Sequence, residues 1–144
     1  MNAPRLLTLI ISSTIFFFAG CGRKEIPKDI VSGAEGSYQE AVTLVANNAF
    51  AEALPLLDKA LGEGGGLNPD LISEAYVMRA RCHAELGNLD KADADVNEAE
   101  KGAGDLAQLL LVHGIIANKR GDSAKAESSF SRAKEIDPNI KIPQ

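Results

Sequence analysis

Two histidines, His83 and His113, and two cysteines, Cys21 and Cys82, stand beside a larger supply of carboxylates in these 144 residues, so any catalytic or metal chemistry must be assembled from few parts. Zinc sites mostly take three or four protein ligands. Neither histidine has a His or Cys partner at helical spacing, and Cys82 adjoins His83, so the two leave a helix in different directions. Both histidines fall on inward or near-inward helix positions, where they could approach each other across a packing seam; they read as hydrogen-bonded core residues. Asp90, Asp93 and Asp95, or Glu98, Glu100 and Asp105, are numerous enough for acid–base work. Carboxylates do that work only where burial or a like charge raises a pKa. Helical spacing places most of these on solvated faces near Lys91 and Lys101. Gly64-Gly65-Gly66 lacks both the Lys-Ser/Thr pair and the preceding strand of a phosphate-binding loop. No cofactor and no metal are expected, and the chain reads as a non-enzyme. Cys82, in a strongly helical segment, reads as a small buried apolar residue.

Cys21 differs because of what precedes it. Arg5 is the only positive side chain ahead of an uncharged apolar run, Leu6 to Phe18, which is too short at about 1.5 Å per helical residue to cross a bilayer comfortably. Residues 1–20 therefore read as a signal peptide. Phe18-Ala19-Gly20-Cys21 resembles the lipobox of bacterial lipoproteins. That resemblance implies cleavage before Cys21 and acylation of its thiol and new amino terminus, which would anchor the chain in a membrane. Gly22, rather than Asp, favours the outer membrane of a two-membrane envelope, facing the periplasm. Residues 21–32 then serve as lipidated cysteine and tether: GRKEIPKDIVS is polar, contains Pro27 and lacks apolar periodicity.

The formal charge is −5, and Arg5 leaves with the signal. With no basic stripe and few aromatic residues in the mature part, nucleic acid is not an expected partner.

The elements that must position everything else announce themselves by self-similarity. Gly87 and Gly121 are 34 residues apart, and so are Ala80 and Gly114, Ala92 and Ala126, Val96 and Phe130, and Ala99 and Ala133. This spacing resembles the tetratricopeptide repeat, two antiparallel helices joined by a tight turn. Gly114, Gly121, Ala126, Phe130, Ala133 and Pro138 fit its pattern in a third unit. Ala80, Gly87, Ala92 and Ala99 fit in a second, which has Gly102-Ala103-Gly104 where proline is expected. Ala41, Ala53, Leu57 and Ala60 fit in a first, with Asn48 in place of the turn glycine. The resemblance implies an all-α fold over 33–140, an α-solenoid of about three hairpins in a right-handed superhelical stack, with a tail at 141–144. Six helices are expected at 34–47, 50–61, 70–86, 89–101, 105–119 and 122–136. Asn68, Asn88 and Asp122 are placed to cap helix starts. Pro55 is expected to kink or delay the second helix. Ala53 to Ala92 spans 39 residues, a five-residue insertion at Glu63–Gly66. The first hairpin is thus the candidate for the most movable unit.

In this family the first helices of successive repeats line a concave groove. Carried over by position, the groove falls on Tyr38, Val42 and Val45, on Val77, Met78, Arg81 and Glu85, and on Leu111, Val112, Ile115 and Lys119. That set is mostly apolar and suits an amphipathic helix or an extended apolar peptide. The expected role is a membrane-anchored adaptor or scaffold of the cell envelope that binds a protein or peptide. The alternatives are self-coverage of the groove by Ile140-Lys141-Ile142-Pro143 or by the tether around Ile30-Val31, a homodimer, or a structural lipoprotein without an external ligand. With only six residues after Pro138, the apolar side of the third hairpin is expected to be partly open.

Overall fold

The computed structural model describes residues 33–62, 66–102 and 104–143. The signal segment, Cys21, the tether and Glu63–Gly65 of the long connection lie outside the described residues. Six helices follow in order: α1 (Gly33–Ala46), α2 (Phe50–Leu61), α3 (Pro69–Glu85), α4 (Leu89–Ala99), α5 (Leu106–Lys119) and α6 (Ser123–Ile136). They pair as hairpins α1–α2, α3–α4 and α5–α6, and the hairpins stack through α2 on α3 and α3 on α5. This is the short solenoid that the repeat spacing implied.

Each hairpin turn is built the same way. Asn48, Gly87 and Gly121 take positive φ of 60°, 81° and 82°. The amide of the following residue reaches back five residues, Ala49 to Leu44, Asn88 to His83 and Asp122 to Ala117, at 2.8–2.9 Å. These are the paired bonds of a Schellman ending, which satisfy the last carbonyls of the first helix. Asparagine tolerates the left-handed region best after glycine, so Asn48 makes the same turn. Helix starts are fixed by side chains: Asn68 accepts from the Asp70 amide with Pro69 behind it, Asp105 from Ala107 and Gln108, and Asp122 from Lys125. Asn88 occupies the cap position of α4 without a side-chain bond. Pro55 does not delay α2, which begins at Phe50 and continues through it; Pro55 is exposed, so the Ala51 carbonyl it leaves unpaired lies on the outer side of the helix.

Helix α3 is a wall shared by two cores. Ala75 and Cys82 join Tyr38, Ala41, Val45, Ala53, Leu57 and Ala60 of the first hairpin. On its other side Val77, Ala80 and Ala84 join Ala92, Val96, Leu111, Val112 and Ile115. Small residues let the backbones meet: a Cβ on Gly114 would lie 2.3 Å from Phe130 Cε1, so α6 packs its ring directly over α5. The departure from proline at Gly102 and Gly104 has a local cause. Ser73, buried and donating its hydroxyl to the Ala99 carbonyl at 2.8 Å, lies where side chains on those residues would go; a Cβ on Gly102 would sit 2.8 Å from Ser73 Cβ.

Candidate functional site

Helices α1, α3 and α5 present their inner sides to a common groove. Its open stretch is a cavity of about 330 Å³ lined by Val42, Val45, Val77 and Met78, with Glu74, Arg81, Asp105 and Gln108 also on its wall. Val45 and Val77 are only 5% exposed and form a floor, whereas Val42 and Met78 are half-buried and reachable. The acids on the wall are already engaged. Glu74 accepts the Tyr38 hydroxyl at 2.7 Å, and Asp105 caps α5. Among the described residues Arg81 makes no ion pair: its guanidinium lies 5.8 Å from the Phe50 ring, and its Nε is buried without a hydrogen-bond partner there.

Not every position carried over from the repeat pattern is groove surface. Tyr38 is buried in the first core, its phenol held protonated by burial and by the bond to Glu74, and it ties α1 to α3. Val112 is fully buried and Ile115 nearly so, because α5 is enclosed by α3, α4 and α6; both are core and not contact surface. Leu111 is also buried. It lines a second cavity of about 480 Å³, with Val45, Arg81 and Glu85, whose other side is formed by the segment after α6. Lys119 is exposed at the far end of the groove, where its ammonium pairs with Glu85 and donates to the Glu85 carbonyl at 3.3 Å, a favourable place for a cation at the end of α3.

The titratable residues are arranged differently from the sequence reading. His83 and His113 do not meet: His113 faces Glu100 at 3.2 Å and His83 faces Asp95 at 4.0 Å. Asp95 is not solvated; its side chain is 7% exposed and takes a two-pronged contact from Arg79, Nε at 2.9 Å and Nη2 at 2.6 Å. Arg79 Nη1 also reaches Asp58 at 2.8 Å, so one guanidinium joins α2, α3 and α4. None of Arg79, His83 or Asp95 lines the groove cavities. The cluster therefore acts as a fastener between helices. Among the described residues, no group of three or more His, Cys, Asp or Glu side chains is placed to hold a metal ion. Burial pushes the Cys82 thiol up to about 12, which keeps it protonated and unreactive.

His83 gives the fold a pH dependence of fixed sign. Burial lowers its pKa from about 6.5, opposed by Asp95 and Asp58 and assisted by Arg79 and Lys91. The unfolded chain then binds more protons, so this contribution is complete above the unfolded value and is lost as pH falls through the folded one. Thermal unfolding of the parent is expected to move down between pH 7.5 and 5.5, and His83→Gln is expected to flatten that part of the profile.

The middle hairpin carries the kinship most clearly: Ala80 and Ala92 are fully buried, and Gly87 turns at positive φ between α3 and α4. The tetratricopeptide repeat family model matches residues 73–101. This tetratricopeptide-type repeat spans α3 and α4, the helices that hold Val77, Met78 and Arg81 in the groove. No curated protein and no solved structure matches the chain.

Proposed function

We propose that the chain is a non-catalytic scaffold that binds a protein or peptide segment in the groove between α1, α3 and α5. The observation that supports this reading is the open cavity with an apolar floor and, on its wall, Arg81, which makes no ion pair among the described residues. Apolar contact supplies affinity there, and the Arg81 guanidinium favours an acidic group on the ligand.

Met78→Asp is the discriminating variant, since Met78 lines the cavity and is only half-buried. Peptides selected from a random library on the parent chain are expected to bind Met78→Asp at least about tenfold more weakly, as one lost apolar contact and a mismatched charge require. Selected peptides that bind both proteins equally would defeat the reading. Val77 and Ile115 are core residues, so a charge placed there would report on folding and not on binding.

The same proposal places the scaffold at a membrane of the bacterial envelope, held by lipid on Cys21 at the outer membrane and facing the periplasm. Its support is the uncharged run Leu6–Phe18 followed by Phe18-Ala19-Gly20-Cys21. Two or three acyl chains, at about 0.8 kcal/mol per buried methylene, make such anchoring stable. Metabolic labelling with palmitate is expected to mark the parent and not Cys21→Ser; equal labelling of both would overturn the anchor.

A further inference from the structure

Beyond α6 the chain reverses over Pro138–Asn139, with the Asn139 amide donating to Asp137 Oδ1 at 2.9 Å and the Ile140 amide to the Asp137 carbonyl at 3.1 Å. Burial then alternates: Ile140 is 7% exposed, Lys141 is exposed, Ile142 is half-buried and Pro143 is exposed. A period of two is the signature of extended backbone, whose successive side chains point to opposite sides. Ile140 belongs to the core cluster that contains Leu111 and Ile115, and Ile142 packs against it. Among the described residues, nothing from Asn139 to Pro143 makes a hydrogen bond or ion pair to any helix. The segment is held by two isoleucines alone.

Its position relative to the open cavity gives this meaning. Val45 and Arg81 line both the open cavity and the one bounded by Ile140 and Ile142, so the two are stretches of one groove. One stretch is free, and the other already holds an extended segment. We propose that the groove's ligand is an extended peptide carrying aliphatic residues at alternate positions, and that Ile140-Lys141-Ile142 is the resident segment it displaces to occupy the α5 side. The resident segment displays the chemistry of the site: two β-branched side chains two residues apart, one buried and one half-buried, with an exposed lysine between them. Because its backbone is not paired with the helices, displacement costs apolar burial alone, and an incoming peptide of the same pattern restores it. This inference rests on the groove reading above and specifies the ligand's form.

The test uses the full chain and a synthetic, fluorescently labelled peptide with the sequence Asp137–Gln144, followed by anisotropy. In the parent the site is occupied by its own segment, so the peptide meets a largely unavailable conformation. Ile140→Ser with Ile142→Ser releases the segment, and the released chain is expected to bind the peptide at least about tenfold more tightly than the parent does. Ile142→Ser alone, which removes only a half-buried contact and so leaves the helices in place, is expected to shift affinity in the same direction by a smaller factor. Equal affinity for parent and Ile142→Ser, or no binding to either released form, overturns the inference. The groove reading fails on a different result, library-selected peptides indifferent to Met78→Asp, so the two outcomes are separable.

Discussion

Arg79→Met is expected to cost about 3 kcal/mol of folding stability at neutral pH, the lower end of the range for removing one member of a buried ion pair, because the Arg79 side chain is 21% exposed. The loss comes from what remains: Asp95, with a side chain 7% exposed, keeps its charge and loses both guanidinium contacts. His83 Nε2 is 4.0 Å from Asp95, and Lys91 acts with Arg79 to lower the His83 pKa. Removing Arg79 removes a charge that lowers the His83 pKa and leaves Asp95 to raise it. In the variant, His83 is therefore expected to titrate less far below its unfolded value than in the parent, because burial and Lys91 still lower it. A folded pKa that is less depressed loses less stability as pH falls through it. The penalty of Arg79→Met is thus expected to shrink between pH 8 and pH 5.5, because the parent loses more of its His83 contribution over that range than the variant does. Adding Asp95→Leu removes the stranded carboxylate and is expected to recover most of the loss. Urea titrations of the three proteins at two pH values decide the matter; a penalty within about 0.5 kcal/mol for the single variant would show the pair to be a surface contact.

The fastener was missed in the sequence for a reason visible in α4. The run Ala-Asp-Ala-Asp invites a solvated face, and Asp90 and Asp93 do pair with Arg120 in the open. Asp95, however, lies at i+3 from Ala92 and one residue before Val96, on the stripe Ala92–Asp95–Val96–Ala99 that α4 buries. A carboxylate on a buried stripe requires a cation, and Arg79 was the one within reach across the hairpin.

The solenoid itself was legible because it depends on local rules: small residues at a fixed offset, left-handed turn residues, and caps. The position of Asn48 in the repeat assigns it to the first turn, and its backbone tolerance explains why the turn forms without glycine. The groove was less legible. A position in the repeat tells which way a residue leaves its helix, and not what the chain later places over it. Val112 and Ile115 became core through the packing of α3, α4 and α6 around α5, and Leu111 through the segment after α6. Gln108 and Glu74 line the open cavity through the relative placement of three helices, which no single-helix pattern encodes.

Leu57→Ala is the second large effect, about 2–5 kcal/mol. Leu57 is fully buried and is among the largest such side chains, set between α1 and α3 in the first core. Its neighbours there include Ala41, Ala53, Ala60 and Ala75, which have no length with which to fill the space left behind. The cavity would therefore stay, and its cost adds to the lost transfer energy. Since total stabilities run about 5–15 kcal/mol, a loss of this size is a large part of the whole. Ile136→Ala, at a side chain 51% exposed, is the control and is expected to fall within about 0.5 kcal/mol of the parent. Guanidinium unfolding curves that rank these two variants alike would contradict the assignment of the first core.

The groove is tested most directly by methyl and amide chemical-shift mapping of the full chain with a library-selected peptide. Shifts are expected at Val42, Val45, Met78, Arg81 and Gln108, with Leu57, Val96 and Ile136 unmoved. Shifts concentrated on α2, α4 or α6, with Val42 and Met78 silent, would contradict the account.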